Sequence, residues 1–323
     1  MPEIPRITFR IPTKETITIA TAIRQAIPTA SWNTVRKWLH GGHVLVNGIP
    51  VFEESARVNQ TNEIAISPAS GGSLARIERS NSEDIVKVVY LDIDVAVVEK
   101  PSGVTTQIAT DDWEPTEVKR PGDRTLEELM IPIVKKMVLA RPEWKSGSPR
   151  LVHRLDKDTS GLLVFARTAR AYDLLKRQFF EHTIDREYIA IVLGTMTRET
   201  TFDSYLIEDR GDGKRGSVNQ PERHAKHAIT HVFPEQQYHY ATQVRCRLET
   251  GRTHQIRIHL SEAGHPVLGD PIYGTSFDLI PEIVPAPRLA LHAKLLAFDH
   301  PNGKRMRFES PLPPDLTKWV KKL

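Results

Sequence analysis

Residues 150–168 have the sequence RLVHRLDKDTSGLLVFART, in which a polar loop leads directly into an apolar segment. The apolar run from Leu162 to Ala166 predicts a short buried strand, and Thr168 stands where an N-cap would begin the next helix. Loops beside rigid strands commonly hold functional side chains. The polar residues of this loop are His153, Arg154, Asp156, Lys157, Asp158, Thr159 and Ser160.

The segments around this stretch alternate between strand and helix patterns. Residues 86–98 predict two strands around Leu91-Asp92, and residues 126–140 have helical periodicity. Residues 188–193 are apolar on both faces, whereas residues 242–249 alternate strictly between apolar and polar side chains. The glycine signature of nucleotide-binding folds is missing from the sequence. These patterns predict an α+β fold in which helices cover a mixed sheet.

A second polar cluster follows the alternating strand, in TGRTHQIRIH at residues 250–259. Gly251 would let the backbone turn, so that the polar side chains leave the sheet near a helix start. Guanidinium groups there could meet a carboxylate or a phosphate. A structural alternative stays open, in which Asp156 only caps a turn or pairs with Lys157. The polar members of this cluster are Arg252, Thr253, His254, Gln255 and Arg257.

The N-terminal segment, residues 16–67, predicts a separate small unit. Ile19, Ala22, Ile23 and Ala26 have the spacing of an amphipathic helix that Pro28 stops. Ser31 can cap a second helix, and Asn47-Gly48 then favours a tight hairpin turn. In the second helix, Trp32, Val35 and Leu39 form an apolar stripe opposite Asn33, Arg36, Lys37 and His40. The polar stripe is either a solvated surface or a face that binds RNA.

Overall composition narrows the class of protein. At 323 residues, two domains are expected, and the Gly/Ser-rich residues 68–83 have the composition of a linker between them. The single cysteine, Cys246, excludes an intramolecular disulfide. Because no signal peptide or membrane span is evident, we expect a cytoplasmic protein. The net charge of +4 is compatible with a polyanionic partner but does not require one.

Histidines offer little sign of a metal site. His224, His227 and His231 have a helical spacing, but no carboxylate ligand accompanies them in their polar stretch. His254 and His259 are five residues apart, without the glutamate of a zinc protease helix. We therefore expect no metal.

The sequence TVRKWLHGGHVLVNGIPV, residues 34–51, resembles the S4 RNA-binding domain. That family has a basic helix, a glycine-bounded turn and a Val-Asn-Gly hairpin. The resemblance implies an S4-like domain with an αα-hairpin at residues 14–67, with Arg36, Lys37 and His40 as its RNA contacts. TITIATAIRQ replaces the usual Arg-Leu-Asp-Lys opening of the family, so no contact is carried over to the first helix.

The remainder of the chain resembles the RluA-type family of RNA pseudouridine synthases. HRLDKDTSGLLVFA matches the segment around the catalytic aspartate, and DREYIAIVLG and LETGRTHQIRIHLSEAGHPVLGDPIYG match two later motifs in the family's order. KPSGV at residues 100–104 resembles an earlier one. The resemblance implies a catalytic domain at residues 84–323, built on a mixed, mainly antiparallel sheet flanked by helices. Residues 105–124 are longer than the usual link of the family, which predicts an added surface loop.

The resemblance also implies chemistry. Uracil is detached from C1′, rotated and rejoined through C5, with no net redox change, so no cofactor is expected. Asp156 would attack C1′ or remove the C2′ proton, two routes that stay open, and Arg257 would keep it ionised. Tyr188 would stack on the base, and its phenol would form a hydrogen bond or remove the C5 proton. Arg154 would fill the gap left by the flipped nucleotide. Arg252, His254 and Gln255 are further expected RNA contacts.

The expected substrate is structured RNA, with ribosomal RNA suggested by the resemblance, and nothing in the sequence demands a protein partner. Two alternatives remain. One is a catalytically silent RNA-binding protein, such as a ribosome assembly factor. The other is a carboxylate-dependent glycosidase of small nucleosides, which would need a general acid and would gain little from an S4-like domain.

Overall fold

The computed structural model describes residues 5–12, 16–40, 43–46, 49–51, 56–67, 86–107, 124–274 and 284–323. Contacts between Cα atoms divide the chain into two compact units, Met1–Ser80 and Asn81–Leu323. The expected linker at residues 68–83 lies outside the described residues.

The described residues of the first unit form two helices and six short strands. The helices are α1 (Ile19–Ala26) and α2 (Trp32–His40), and they contact each other. One antiparallel sheet has the order β1 (Ile7–Phe9), β6 (Ile64–Ile66), β3 (Val44–Val46) and β4 (Ile49–Pro50). A second pairs β2 (Ile17–Thr18) with β5 (Arg57–Val58). Strand β1, which precedes residue 14, pairs with β6 in the same sheet.

The two helices start and end as expected, but one aromatic residue was placed wrongly. The Ser31 hydroxyl accepts a hydrogen bond from the Thr34 N–H at the start of α2. Val35 and Leu39 are fully buried, and Trp38 joins them at 5% exposure, whereas Trp32 is 48% exposed. Trp32 lies in the first turn, where the Arg24 guanidinium covers its ring at 4.6 Å. Trp38 completes the buried i, i+3, i+4 stripe with Val35 and Leu39.

In the described residues of the second unit, eleven strands form one sheet. Its main path runs β13 (Gly216–Val218), β12 (Thr200–Ile207), β14 (Lys226–Gln237), β15 (Ala241–Leu248), β11 (Asp185–Leu193), β16 (Leu291–Asp299), β10 (Ser160–Ala166), β8 (Val95–Lys100) and β7 (Lys87–Leu91). β17 (Arg305–Glu309) also pairs with β16, and β9 (Arg150–Leu151) with β10.

This sheet confirms the predicted α+β class and its mixed, mainly antiparallel sheet. The strand pairs are antiparallel except for β10 and β16, whose register joins Ser160 to His292 and Gly161 to Ala293. Strands β10 and β16 approach each other very closely at Gly161 and Ala293. A Cβ on Gly161 would lie 2.3 Å from the Ala293 carbonyl oxygen, and Gly161 has φ +119°. Only glycine is compatible with both conditions.

Among the described residues of this unit, four α-helices accompany the sheet: α3 (Leu126–Ala140), α4 (Ala169–Phe180), α5 (Gln255–Glu262) and α6 (Pro314–Val320). A capping box between Thr125 and Glu128 begins α3, and the Thr168 hydroxyl caps α4 by accepting the Ala171 N–H. Among the helices described, none is both long enough and apolar enough to cross a membrane.

The segment expected to be an added loop at residues 105–124 is structured at its ends. Thr106 is 2% exposed, and its hydroxyl exchanges hydrogen bonds with the backbone of Leu155. The Thr105 carbonyl accepts the Leu126 N–H at the start of α3. Residues 105–107 thus form neither helix nor strand, but Thr106 is buried rather than on the surface. Residues 108–123 lie outside the described part of the chain.

Candidate active site

Asp156 lies in the loop that joins β9 to β10, and buried side chains fix this loop on several sides. The ring Nε2 of His153 accepts the Val164 N–H from β10 at 3.1 Å. The hydroxyl of Thr106 donates to the Leu155 carbonyl at 2.6 Å, and the ammonium of Lys100 donates to the Lys157 carbonyl at 2.7 Å. The residues on both sides of Asp156 are thus anchored, which restricts where its carboxylate can point.

Arg257 connects Asp156 to a second, fully buried acid. Its Nη1 lies 3.5 Å from Asp156 Oδ2, while Nε and Nη2 donate to the two oxygens of Asp270 at 2.7 and 2.8 Å. The Arg257 side chain is 3% exposed, the Asp156 side chain 17% and the Asp270 side chain 0%. The bidentate pair with Asp270 fixes the plane of the guanidinium and leaves Nη1 directed at Asp156.

The surroundings of Asp156 favour its ionised form. Burial alone would raise the pKa of this carboxyl, but electrostatic interactions with His254, Arg257 and Arg154, together with the Arg257 hydrogen bond, hold its pKa below the usual range. The same acid helps to raise the pKa of Arg257, although burial opposes this and Asp270 contributes more. A carboxylate that is ionised and partly exposed can act as a nucleophile or as a base.

Tyr188 is placed on β11 beside this cluster and lines the same cleft as Asp156. Its side chain is 8% exposed. Burial is the main cause that raises the pKa of Tyr188 to about 12, with Arg186 opposing the rise and Asp156 adding to it. The side chain is therefore a neutral phenol near pH 7, which can stack on a planar group or donate a hydrogen bond.

The turn from β15 into α5 contains the second predicted cluster. His254 has a left-handed backbone, with φ 56°, at the N-cap of α5, and its Nδ1 lies 3.0 Å from the Tyr273 hydroxyl. The sequence placed a turn of the backbone at Gly251, and the structure has its left-handed residue at His254. Arg252 is exposed at the cleft, and its Nε donates to the His227 carbonyl at 3.0 Å.

Gln255, expected as an RNA contact, lines the cleft but is a buried residue. The residue is 2% exposed, and both ends of its amide are occupied. Its oxygen accepts from the Thr250 hydroxyl and the Arg252 N–H, and its nitrogen donates to the Ile229 carbonyl and the Thr230 hydroxyl. Gln255 instead fixes the turn between β15 and α5 through these four contacts.

A cleft of about 730 Å³ joins these groups, a volume in the usual range of about 300–1,000 Å³ for ligand sites. Among the described residues that line it, five are Lys or Arg, and Asp156 is the single acid. Arg154 is exposed at this cleft. Such a lining attracts a polyanion to the carboxylate. The five cations are Arg154, Lys176, Arg186, Arg252 and Arg257.

The sequence predicted no role for two residues that the geometry makes prominent. Asp270 is the bidentate partner of Arg257, and Arg186 is a buried cation on the same face of β11 as Tyr188. A signal existed for each. Asp270 lies within the GDPIYG segment of the last motif, and Arg186 precedes Tyr188 by two residues, the period of a strand.

Three of the other predicted residues belong to the first unit. Arg36 and Lys37 are exposed on α2 of the first unit, and His40 is the last residue of that helix. His227 and His231 lie on strand β14 rather than a helix, where they pair with Asp203 and Glu249 at 2.6 and 2.7 Å. Within the described ranges, no group of three or more His, Cys, Asp or Glu side chains could hold a metal ion.

Comparison with solved structures supports the fold of the second unit. Human RNA Pseudouridylate Synthase Domain Containing 4 aligns with a TM-score of 0.58 and 20% identity, over 76% of this chain and 95% of its own. Human RNA Pseudouridylate Synthase Domain Containing 1 aligns with a TM-score of 0.53 and 24% identity, over 72% of this chain and 86% of its own. At these identities the likeness concerns the fold alone.

Sequence comparison identifies the family. The family model described as RNA pseudouridylate synthase matches residues 94–262. The uncharacterized RNA pseudouridine synthase YlyB of Bacillus subtilis is 33% identical over 90% of this chain and 88% of its own length. Ribosomal large subunit pseudouridine synthase D of Pseudomonas aeruginosa is 33% identical over 92% and 88%, and that of Neisseria meningitidis is 33% identical over 91% and 75%. With its cationic cleft around one carboxylate, the chain belongs to the RNA pseudouridylate synthase family of isomerases.

Proposed function

We propose that this enzyme isomerises particular uridines of ribosomal RNA, with Asp156 as the essential carboxylate. One observation carries the proposal: Asp156 is the single acid among the described residues of a cationic cleft, and Arg257 lies 3.5 Å from it. Ribosomal RNA is supported by the relatives whose names give the large ribosomal subunit as their target. The positive lining suits a polyanionic substrate of this kind.

The chemistry requires that the N1–C1′ bond of uridine breaks and that a C5–C1′ bond forms. The C5 proton leaves, and N1 acquires a proton, so the isomerisation is balanced without a co-reactant. Asp156 could attack C1′ to form a glycosyl ester, or it could remove the C2′ proton. Both routes need the ionised acid, which the surrounding positive charges favour.

Two further side chains have roles in this proposal. Tyr188, a buried phenol in the cleft, would stack on the detached base while it rotates. Arg154 is exposed at the cleft and would enter the space vacated by the flipped nucleotide. Extruding a nucleotide from a folded RNA costs a few kcal/mol, and a cation in the vacated space would offset part of this cost.

For the N-terminal residues 14–67 we propose an S4-like RNA-binding domain, joined through residues 68–83 to the catalytic domain at residues 84–323. The exposed Arg36 and Lys37 on α2, with His40 at the end of that helix, support an RNA-binding face. Replacing Arg36 and Lys37 with alanine in the full chain should weaken RNA binding and reduce its salt dependence. Because its substrate is RNA, we place the enzyme in the cytoplasm.

The test is tritium release from ribosomal RNA that carries uridine labelled at C5 and comes from cells lacking this protein. Wild-type protein should release tritium, because forming the C5–C1′ bond expels the C5 hydrogen. Asp156→Asn should release none. The matched control is Asp158→Asn, which alters a carboxyl in the same loop that does not line the cleft, and it should retain most of the activity.

Each alternative predicts a different outcome. No release by wild type, despite tight RNA binding, would favour a silent RNA-binding protein. Accumulation of free uracil from small nucleosides, without tritium release from RNA, would favour a glycosidase. Equal loss in Asp156→Asn and Asp158→Asn would count against a specific role for Asp156.

A further inference from the structure

Arg186 is a buried cation that the mechanism above does not use. It lies on β11 two residues before Tyr188, so both side chains are on the same face of the strand. Its side chain lines the cleft although the residue is only 7% exposed. Glu187, between them, pairs instead with Arg245 at 3.2 Å. Arg186 is therefore presented to whatever occupies the cleft.

The contacts of Arg186 leave part of its guanidinium unused. Its Nη2 donates to the Glu249 carbonyl at 2.8 Å, and the group lies 5.5 Å from the centre of the Phe179 ring. Its Nε is buried and has no hydrogen-bond partner among the described residues. Within the same part of the chain, no carboxylate forms an ion pair with Arg186. A buried cation without an anion is costly, so the position indicates a missing partner.

The backbone opposite Arg186 leaves room for this group. A Cβ on Gly251 would lie 2.5 Å from Arg186 Nη1, so glycine at this position provides the space that the guanidinium occupies. The nearby charges are also positive. Burial and then Arg252 lower the pKa of Arg186, with Tyr188 acting in the opposite sense. Burial, followed by the positive charges of Arg186 and Lys176, lowers the pKa of His153. The local field favours an anion.

We propose that Arg186 binds a phosphodiester group of the RNA next to the target uridine, through the side of its guanidinium that the protein leaves unpaired. The inference rests on the proposed function, because it assumes that RNA occupies this cleft. A guanidinium offers several N–H donors in one plane, which match the oxygens of a phosphate. Glu249 and Phe179 hold the group on its other side.

The experiment measures binding of unmodified large-subunit ribosomal RNA, transcribed in vitro, over a range of salt concentrations. Every protein in this experiment also carries Asp156→Asn, so that the RNA is bound but not modified. Added Arg186→Met should raise Kd by about tenfold. It should also make the slope of log K against log salt shallower by about 0.7–0.9, the effect of one lost phosphate contact. Arg186→Lys should keep most of the slope, because the charge remains.

The matched control is Arg307→Met, which removes an arginine from strand β17 that does not line the cleft. Its slope and Kd should stay close to those of the parent. Thermal unfolding checks that each variant is folded. If Arg186→Met does not fold, Arg186→Gln replaces it, because an amide can still donate to the Glu249 carbonyl without carrying charge. In otherwise wild-type enzyme, loss of Arg186 should raise KM more than it lowers kcat.

Two outcomes would overturn the proposal. One is a folded, uncharged variant with the parent's Kd and salt slope. The other is a loss confined to kcat together with a new alkaline limb in the pH profile of kcat, which would make Arg186 a residue that tunes Tyr188. Failure of the proposed function would be seen separately, as wild-type enzyme that releases no tritium while the Arg186 variants still differ in binding.

Discussion

Asp270→Ala is the substitution that most directly tests how the active site is held together. Asp270 is fully buried and makes both of its contacts to Arg257 within 2.8 Å. It also accepts the backbone N–H groups of Ile272 and Tyr273. Its removal leaves the Arg257 guanidinium buried, with Asp156 at 3.5 Å as the remaining acid among the described residues.

The expected effect on stability follows from this geometry. Breaking a buried ion pair by removing one partner costs about 3–5 kcal/mol. Because Asp156 still offsets part of the charge of Arg257, we expect the lower end, about 3 kcal/mol, or a fall in Tm of roughly 6–12 °C for a unit of this size. Activity should fall about 100-fold, since Arg257 would no longer be oriented and a displacement of about 1 Å can have that effect.

The assays are thermal unfolding and tritium release, with Asp315→Ala as the control. Asp315 receives an equally bidentate pair from Arg288, but its side chain is 46% exposed, so its loss should cost at most about 1 kcal/mol. The double variant Arg257→Met/Asp270→Leu should recover stability without recovering activity. An Asp270→Ala enzyme with Tm and activity close to wild type would refute the reasoning.

Three further predictions concern pH and packing. Since the pKa of Asp156 is depressed and that of Tyr188 is about 12, neither group should produce a limb in the kcat profile between about pH 5 and 10, measured by tritium release. Burial lowers the pKa of three histidines below 6.5, so the unfolded state binds more protons as pH falls. Above pH 6.5 their contribution to the free energy of unfolding is complete. Between about pH 6.5 and 4, the contribution of each histidine should fall by about 1.4 kcal/mol per pH unit. Denaturant unfolding at several pH values measures this change. These histidines are His153 (pKa about 3), His259 (about 4) and His292 (about 4). In the first unit, Trp38→Ala should cost about 3–5 kcal/mol in the same assay, whereas Trp32→Ala should cost much less.

Local features of the fold could be predicted from the sequence because their causes are local. The Thr168 cap, the apolar strand before it and the alternation in β15 each depend on neighbouring residues, and all three lie where expected. Trp32 and Trp38 show where this reasoning stops. Both are large apolar residues on α2, and only the tertiary packing determines which of them is buried.

In the site, too, local patterns could be predicted from the sequence, whereas contacts between distant segments could not. The polar loop with Asp156 and the cluster with Arg257 could be found by pattern, but the two residues are 101 positions apart, and no local rule gives their distance. The burial of Gln255 and the two-sided pairing of Arg257 depend on residues from several strands and turns. Similarly, position 251 favours glycine because the guanidinium of Arg186, from strand β11, lies against it, and not because of the backbone angle of Gly251.

The place of β16 in the sheet has a consequence for synthesis of the chain. This strand begins at residue 291 and lies between β11 and β10, which precede it by about a hundred residues or more. Until the ribosome has released β16, both neighbours have an open edge at the middle of the sheet, where strands of other chains can pair. The nascent polypeptide therefore passes through a long aggregation-prone interval, and truncation before Leu291 would make that interval permanent.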